Sequence, residues 1–287
     1  MAKIDILGVK LNTYTFLGTL REIENLLEKK QNGYVVTPNP EIVTKAYGNE
    51  DFKEILNNAS LSVADGVGIV WAAKFLSLPL KGRNYFLRKI EASFQALWVL
   101  LSLLFYKRYV YTVVPERVTG VDLTWEVVKL CAERRWPIFL LGGAPGVAKE
   151  AAHRLQLIHP KLKIADVYAG TGEKDEDEYL EHRIRDSKAR VIFVAYGAPK
   201  QEMWLARNMP KFKNALGFGI GGTFDFIAEA ASVHDPDTPA KRAPEWMRNL
   251  GLEWLYRFVT QPKRLGRVKT ALFDFIDLVA NHKINFS

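Results

Sequence analysis

With 287 residues, 48% of them hydrophobic and 25% charged, the chain has the make-up of an ordinary globular protein, long enough for one large domain or one domain with an appendage. Its net charge of +8 favours an anionic partner: nucleic acid, nucleotide phosphate or an acidic membrane surface. A single cysteine, Cys131, excludes an intramolecular disulfide and fits a reducing compartment. The opening MAKIDILGVKLNTYTF has neither the apolar core nor the cleavage site of a signal peptide, so a cytoplasmic location is expected.

Taken in chain order, apolar runs alternate with helical stretches. Tyr34–Val36 reads as a strand followed by a helix from about Pro40 to Ala46; the intervening Thr37-Pro38-Asn39 makes the turn. Leu61–Ala64 reads as a second strand, ending at Asp65-Gly66, with a helix from about Val67 to Phe75. Pro137–Gly143, Val191–Gly197 and Ala215–Gly222 are three further strands, each leading into a helix. Repeated strand–loop–helix units of this kind predict an α/β fold: a Rossmann-like parallel sheet with helices on both faces.

Two regions depart from the alternation. Between Gly82 and Pro115 lies a segment whose centre, Ala96–Phe105, is almost wholly apolar. It is too short to span a bilayer, which takes about 20 apolar residues. Its flanks are basic (Arg83, Arg88, Lys89, Lys107, Arg108) and aromatic, which suits a membrane interface, a buried core helix or a homo-oligomer contact. The C-terminal part is the second. Lys241–Lys269 holds eight basic and two acidic residues among aromatics, after a Pro- and Asp-rich stretch that reads as a linker. The expected organisation is therefore a catalytic core over 1–233, containing the apolar segment 83–114, and a linker with a basic helical appendage over 234–287.

The motifs with chemical content are few. Gly217, Gly219 and Gly222 spell G-x-G-x-x-G but run into the linker instead of a βαβ unit, so a tight turn is expected instead of a dinucleotide site. Its amides can still hold a phosphate or sugar. Gly142-Gly143 feeds a helix start, where anion binding and a plain turn are both open. Asp175-x-Asp177 and Asp235-x-Asp237 are literal D-x-D pairs in polar contexts, expected to be solvated. The five histidines lack ligand spacing, so neither a metal site nor a cofactor is expected. Asp65, at a strand end before Gly66, is either a general base or a helix cap.

The segments TPNPEIVTKA, VADGVGIVWAA, PERVTGVDL, IFLLGGAPGVAKEAA, VAYGAPKQEMWL, GIGGTFDFIA and RAPEWMRNLGLEWLYRFVTQPKRLGR, in this order, resemble the WecG/TagA/CpsF glycosyltransferases, over most of the chain but outside Asn84–Val114. The resemblance implies a GT-E fold with a C-terminal appendage. It implies inverting, metal-independent transfer of a hexose from a UDP-sugar to a lipid-diphosphate-linked sugar. This would occur at the cytoplasmic face of the membrane, in the making of teichoic acid linkage units, common antigen or exopolysaccharide. The expected donor is UDP-N-acetylmannosamine and the acceptor N-acetylglucosaminyl-diphospho-undecaprenol; the alternative is another donor, its uronate or UDP-glucose, acting on a lipid-linked oligosaccharide. By this resemblance Thr37 and Asn39 match sugar-pocket positions, Asp65 the base and Gln201 a further pocket position. Asp225, with Thr223 beside it, falls where the nucleotide is expected. Arg257, Arg264 and Arg267 match arginines that reach the diphosphate. The expected partners are the two substrates, an anionic membrane surface and, as a possibility, a second copy of the chain. A nucleic-acid-binding module is the competing class, suggested by the basic, aromatic C-terminus. No nucleic-acid partner is expected, because Trp254, Leu255 and Phe258 share a helical face suited to core or lipid.

Overall fold

The computed structural model describes residues 2–229, 243–244, 247, 256 and 270–286. Its centre is a six-stranded, wholly parallel sheet built from β3 (Gly33–Val36), β4 (Leu61–Ser62), β5 (Ile138–Gly142), β6 (Ile164–Tyr168), β7 (Val191–Ala195) and β8 (Leu216–Gly219), in the order β4-β3-β8-β7-β5-β6. Every residue of β5 is buried, as expected of a parallel strand covered on both faces. This is the predicted Rossmann-like α/β core.

Two apolar layers cover the sheet. On one face pack α2 (Pro40–Tyr47), α3 (Glu50–Asn57), α4 (Val67–Ser77), α9 (Asp177–Ser187) and α10 (Lys200–Asn208). On the other pack α1 (Phe16–Glu28), α7 (Gly120–Arg134), α8 (Val147–Ile158) and α11 (Thr223–Glu229). Cys131 lies within this second layer, and burial pushes its thiol up to about 12, so it is an inert core residue.

Two parts of the strand structure have no counterpart in the sequence reading, nor do the helices α1, α3 and α7. The first is a hairpin of β1 (Lys3–Ile6) and β2 (Val9–Asn12), turned by Leu7 and Gly8, both at positive φ. It is joined to the sheet where the Asn12 side chain accepts from Ser62 N at 3.0 Å. The second is β6, an edge strand that is only half-buried and interrupted by Asp166, which pairs with Arg183.

The apolar segment forms a 21-residue helix, α5 (Tyr85–Phe105), continued by the short α6 (Lys107–Val110). Its inner face, Ala92, Val99, Ser102 and Leu103, packs against α4 and the closing helix α12 (Phe275–Phe286). Burial of the whole segment in the core, one of the sequence-based options, does not occur: its outer face is exposed. No described helix is long and apolar enough to cross a membrane. Lys283 of α12 is buried, with Nζ donating to the Phe75 carbonyl at the end of α4 and to Gln95 Oε1 of α5. Burial holds its ammonium down, to about 8. One lysine thus ties α12 to α4 and α5. The expected boundary at 233/234 lies outside the described residues.

Candidate functional site

Strand order decides where the predicted residues meet. From β5 the chain crosses outward to β6, while from β7 it crosses the other way to β8; from β3 it turns outward to β4. Opposed crossovers open a crevice at the carboxyl ends of the strands. The residues following β4, β3, β8, β7 and β5 (Asp65, Thr37, Gly221, Gly197 and Gly143) therefore form a row along one edge of the sheet. Every described residue predicted for the site lies on that edge or in the helix turn beside it.

Asp65 and Thr37 are brought together by continuation of the strand ladder. Val63 N donates to the Val36 carbonyl at 3.1 Å and Asp65 N to the Pro38 carbonyl at 3.0 Å. Val118 N donates to the Ala64 carbonyl at 3.0 Å, which draws the start of α7 against the same edge. There Gly120 N, the first helical amide, donates to Asp65 Oδ2 at 3.3 Å. A Cβ on Gly120 would stand 3.0 Å from Thr37 Oγ1 and 3.7 Å from Asp65 Oδ2. Gly120 thus lies against both the hydroxyl and the carboxylate, with the positive end of a 15-residue helix facing the carboxylate. The N-cap of α4 is Gly66, which follows Asp65.

Asn39 caps α2, its Oδ1 accepting from Ile42 N at 3.0 Å, so the side chain expected in the sugar pocket also starts the helix. Gln201 is buried. Its Oε1 accepts from Gly221 N at 2.9 Å and Gly197 N at 3.2 Å, and its Nε2 donates to Glu202 Oε1 at 2.8 Å. This side chain, at an expected pocket position, pins two glycine turns together, those after β7 and β8. Glu202 is itself buried, and burial, only partly offset by the Gln201 hydrogen bond, pushes its carboxyl up to about 7. Neighbouring Lys45 pairs with Glu41 at 2.8 Å and donates to the Ala198 carbonyl at 3.1 Å, tying α2 to the same turn.

Gly142 sits at φ 98°, and a Cβ there would lie 2.8 Å from the Ala195 carbonyl carbon, so only glycine permits this approach of β5 to β7. Gly143 N donates to the Ala195 carbonyl at 3.1 Å. Thr223 is buried with its hydroxyl on the Ile220 carbonyl, which shapes the turn into α11. Asp225 is half-buried in the first turn of α11, close over Gly222. Arg257, Arg264 and Arg267, together with Asp235 and Asp237, lie outside the described residues.

One expectation is overturned. Asp175 is exposed as predicted, but Asp177 is not a solvated helix-start acid: it is buried, takes a two-pronged ion pair from Arg207 and accepts from Asn208 Nδ2 at 2.9 Å. Burial acts to raise its carboxyl, but the Arg207 and Asn208 hydrogen bonds outweigh this and hold it below its ordinary value. The helix folds it inward because Arg207 and Asn208 end α10 directly opposite. Among the described residues, no group of three or more His, Cys, Asp and Glu side chains is placed to hold a metal ion.

A carboxylate beside a hydroxyl, at the edge of a parallel sheet whose neighbouring turns are glycine-rich, suits proton abstraction next to a bound anionic group. The model of the glycosyl transferase WecG/TagA/CpsF family matches residues 4–98 and 101–287. The chain belongs to this glycosyl transferase family. The match includes all of the apolar segment except residues 99 and 100, so the expectation that the segment stands outside the family resemblance is corrected. The chain is also 32% identical, over 272 residues, to a Staphylococcus aureus (strain NCTC 8325 / PS 47) protein named N-acetylglucosaminyldiphosphoundecaprenol N-acetyl-beta-D-mannosaminyltransferase. That similarity covers 94% of this chain and 89% of the relative, and the protein of the same name from strain MRSA252 matches equally well. Sequence reasoning passed over two residues of this glycosyl transferase's edge. Gly120 stood in the quoted PERVTGVDL, where Thr119 before glycine marks a helix start. Glu202 stood beside Gln201 with no signal of its burial.

Proposed function

We propose that this glycosyl transferase moves N-acetylmannosamine from UDP-N-acetylmannosamine to a lipid-diphosphate-linked N-acetylglucosamine, with inversion and without a metal, as a peripheral enzyme on the inner face of the membrane. The observation that carries the reading is the placing of Asp65 and Thr37 on either side of Gly120, on the carboxyl edge of a family-matched sheet. The name of the staphylococcal relatives supplies the donor sugar and the acceptor.

In this reading an Asp65 carboxylate oxygen takes the proton of the acceptor hydroxyl. The hydroxyl oxygen then bonds to the anomeric carbon as the bond to UDP breaks from the opposite face, and UDP leaves with the electron pair. Thr37 and Asn39 orient the sugar. The glycine turns after β5, β7 and β8, the last two pinned by Gln201, let the backbone approach the nucleotide closely, with Asp225 beside them. Arg257, Arg264 and Arg267 of the proposed appendage neutralise the diphosphate as it leaves, through the bidentate contacts that guanidinium makes well. The test is transfer from UDP-N-acetylmannosamine, UDP-N-acetylmannosaminuronate and UDP-glucose to a lipid-diphosphate acceptor, with and without EDTA, reading the anomeric configuration of the product by NMR. Transfer of N-acetylmannosamine with inverted configuration and undiminished in EDTA is expected; a retained configuration or a Mn²⁺ requirement refutes the mechanism.

A further inference from the structure

Among the described residues, the outer face of α5 is left exposed. Phe86, Ile90, Phe94, Leu97, Leu101 and Phe105 follow one another at three- and four-residue steps, so they form a single stripe along the helix. All six are exposed, Phe86 by 69%, Phe94 by 70% and Phe105 by 84%. At about 1.5 Å per residue, the stripe from Phe86 to Phe105 runs for about 29 Å. An apolar surface of this extent marks a contact with something other than water.

Glu91 and Gln95, polar groups of α5, are committed elsewhere. Glu91 accepts from the amides of Lys81 and Gly82, and Gln95 donates to the Pro79 carbonyl and accepts from Lys283. Residues 92–106 contain no charged side chain, whereas exposed Arg83 and Lys89 stand before them and exposed Lys107 and Arg108 after them. Cations at both ends of an uncharged apolar stripe complement an anionic surface with an apolar interior. That is the chemistry of a bilayer leaflet met by a helix lying in its plane. The packing of the inner face on α4 and α12 holds the helix along the body, which excludes a perpendicular insertion. A second copy of the chain fits less well. Two such stripes meeting about a two-fold axis would bring the basic ends of one against those of the other.

We propose that the outer face of α5 is a bilayer-docking surface, with Phe94, Leu97 and Leu101 in the acyl region and the flanking arginines and lysines at anionic headgroups. The proposal deepens the glycosyl-transfer reading and rests on its lipid-linked acceptor. Beyond α6 the chain leads to Val118, paired with Ala64, and to Gly120 against Asp65. The docked helix is thereby continuous with the segment that touches the candidate base.

Because Cys131 is buried, single cysteines can be labelled selectively. A Phe94→Cys protein carrying an environment-sensitive fluorophore is compared with Leu17→Cys on α1, 65% exposed on the other face of the sheet. Vesicles of phosphatidylglycerol and phosphatidylcholine are the probe. The expected result is a blue shift and quenching by brominated acyl chains at position 94 but not at 17, stronger with phosphatidylglycerol. In addition, Phe94→Asp/Leu101→Asp should lower vesicle co-sedimentation at least fivefold, with transfer to a short-chain, water-soluble acceptor unchanged. An unshifted label at 94 on protein that sediments with vesicles overturns the proposal. So does a label that shifts with protein concentration in the absence of lipid, which assigns the face to a second copy. Failure of the parent protein to use the soluble acceptor refutes the transfer reading instead, and the fluorescence result stands apart from it.

Discussion

Gln201 donates to Glu202 Oε1 at 2.8 Å, and that hydrogen bond fixes which way its amide faces. With Nε2 committed to the carboxyl, Oε1 is presented to the two glycine-turn amides, Gly221 N and Gly197 N. A flipped amide would set two N–H donors against Nε2 and leave Glu202 without its donor. Removing the carboxyl should therefore loosen both turns. Glu202→Gln, which keeps an acceptor, should retain near-parental stability and donor KM, whereas Glu202→Leu should cost about 1–3 kcal/mol and raise donor KM. Equal donor KM in the two variants would show that the carboxyl does not position Gln201.

The same residue predicts a pH dependence. Glu202 keeps its proton in the folded protein up to about pH 7, because burial outweighs the hydrogen bond from Gln201 and the nearby Lys45 charge, with Glu41 adding to the upward push. In the unfolded chain it releases the proton near the ordinary glutamate value of 4.5. The folded state binds the extra proton between these values, so this contribution is full below about 4.5 and is lost as pH rises through about 7. Denaturant melts of the parent and Glu202→Gln from pH 4 to 8 should show a steeper decline in the parent. Parallel curves would place the titration elsewhere.

Asp177 has the opposite sign. Its folded carboxyl is depressed, so its contribution is present above the ordinary carboxylate range and lost as pH falls through the lowered value. Asp177→Asn should destabilise by about 1–3 kcal/mol, discounted for the partial exposure of Arg207, since it leaves that guanidinium without its charge partner. The loss should shrink in acid as the parent carboxyl protonates. A variant as stable as the parent at pH 7 would mean that the pair contributes nothing net.

The contrast between these acids shows what the sequence could carry. The strands β3, β4, β5, β7 and β8 were legible because each is a short apolar run closed by a glycine or turn residue, and their carboxyl ends include Thr37, Asp65 and Gly143. β6 was not, because Asp166 interrupts its apolar pattern and its exposed edge asks for no continuous run. Asp177 read as a solvated helix start because its partner is 30 residues away, and a long-range ion pair leaves no local spacing. The apolarity of α5 was plain, but a helix apolar nearly all round does not say which face the core takes. Strand order, which puts the β8 turn beside Thr37, follows from packing and not from any one segment.

Asp65→Asn should lower turnover roughly 100-fold or more while leaving the fold and UDP affinity intact, the usual scale for a lost general base. The amide oxygen can still accept from Gly120 N, so the geometry survives the change. Turnover near that of the parent, with thermal stability matched, would reduce Asp65 to a structural acceptor.

Gly120 gives the sharpest test of the edge. A methyl group there would lie 3.0 Å from Thr37 Oγ1, closer than such carbons normally sit, and 3.7 Å from Asp65 Oδ2, an ordinary contact. The side chain that must give way is Thr37, and Asp65 stays where it is. Alanine is the better helix former, so Gly120→Ala should not destabilise α7. Activity should nonetheless fall, by about tenfold, because a small displacement of a positioning group weakens the aligned geometry. The cycle with Thr37→Ala separates this cause from any other. Without the Thr37 hydroxyl the methyl group has nothing to displace, so Gly120→Ala should cost little further in that background. If the two losses instead multiply, the methyl acts on something other than Thr37. If Gly120→Ala alone leaves turnover and KM unchanged, the close approach of Thr37, Asp65 and Gly120 has no part in the reaction.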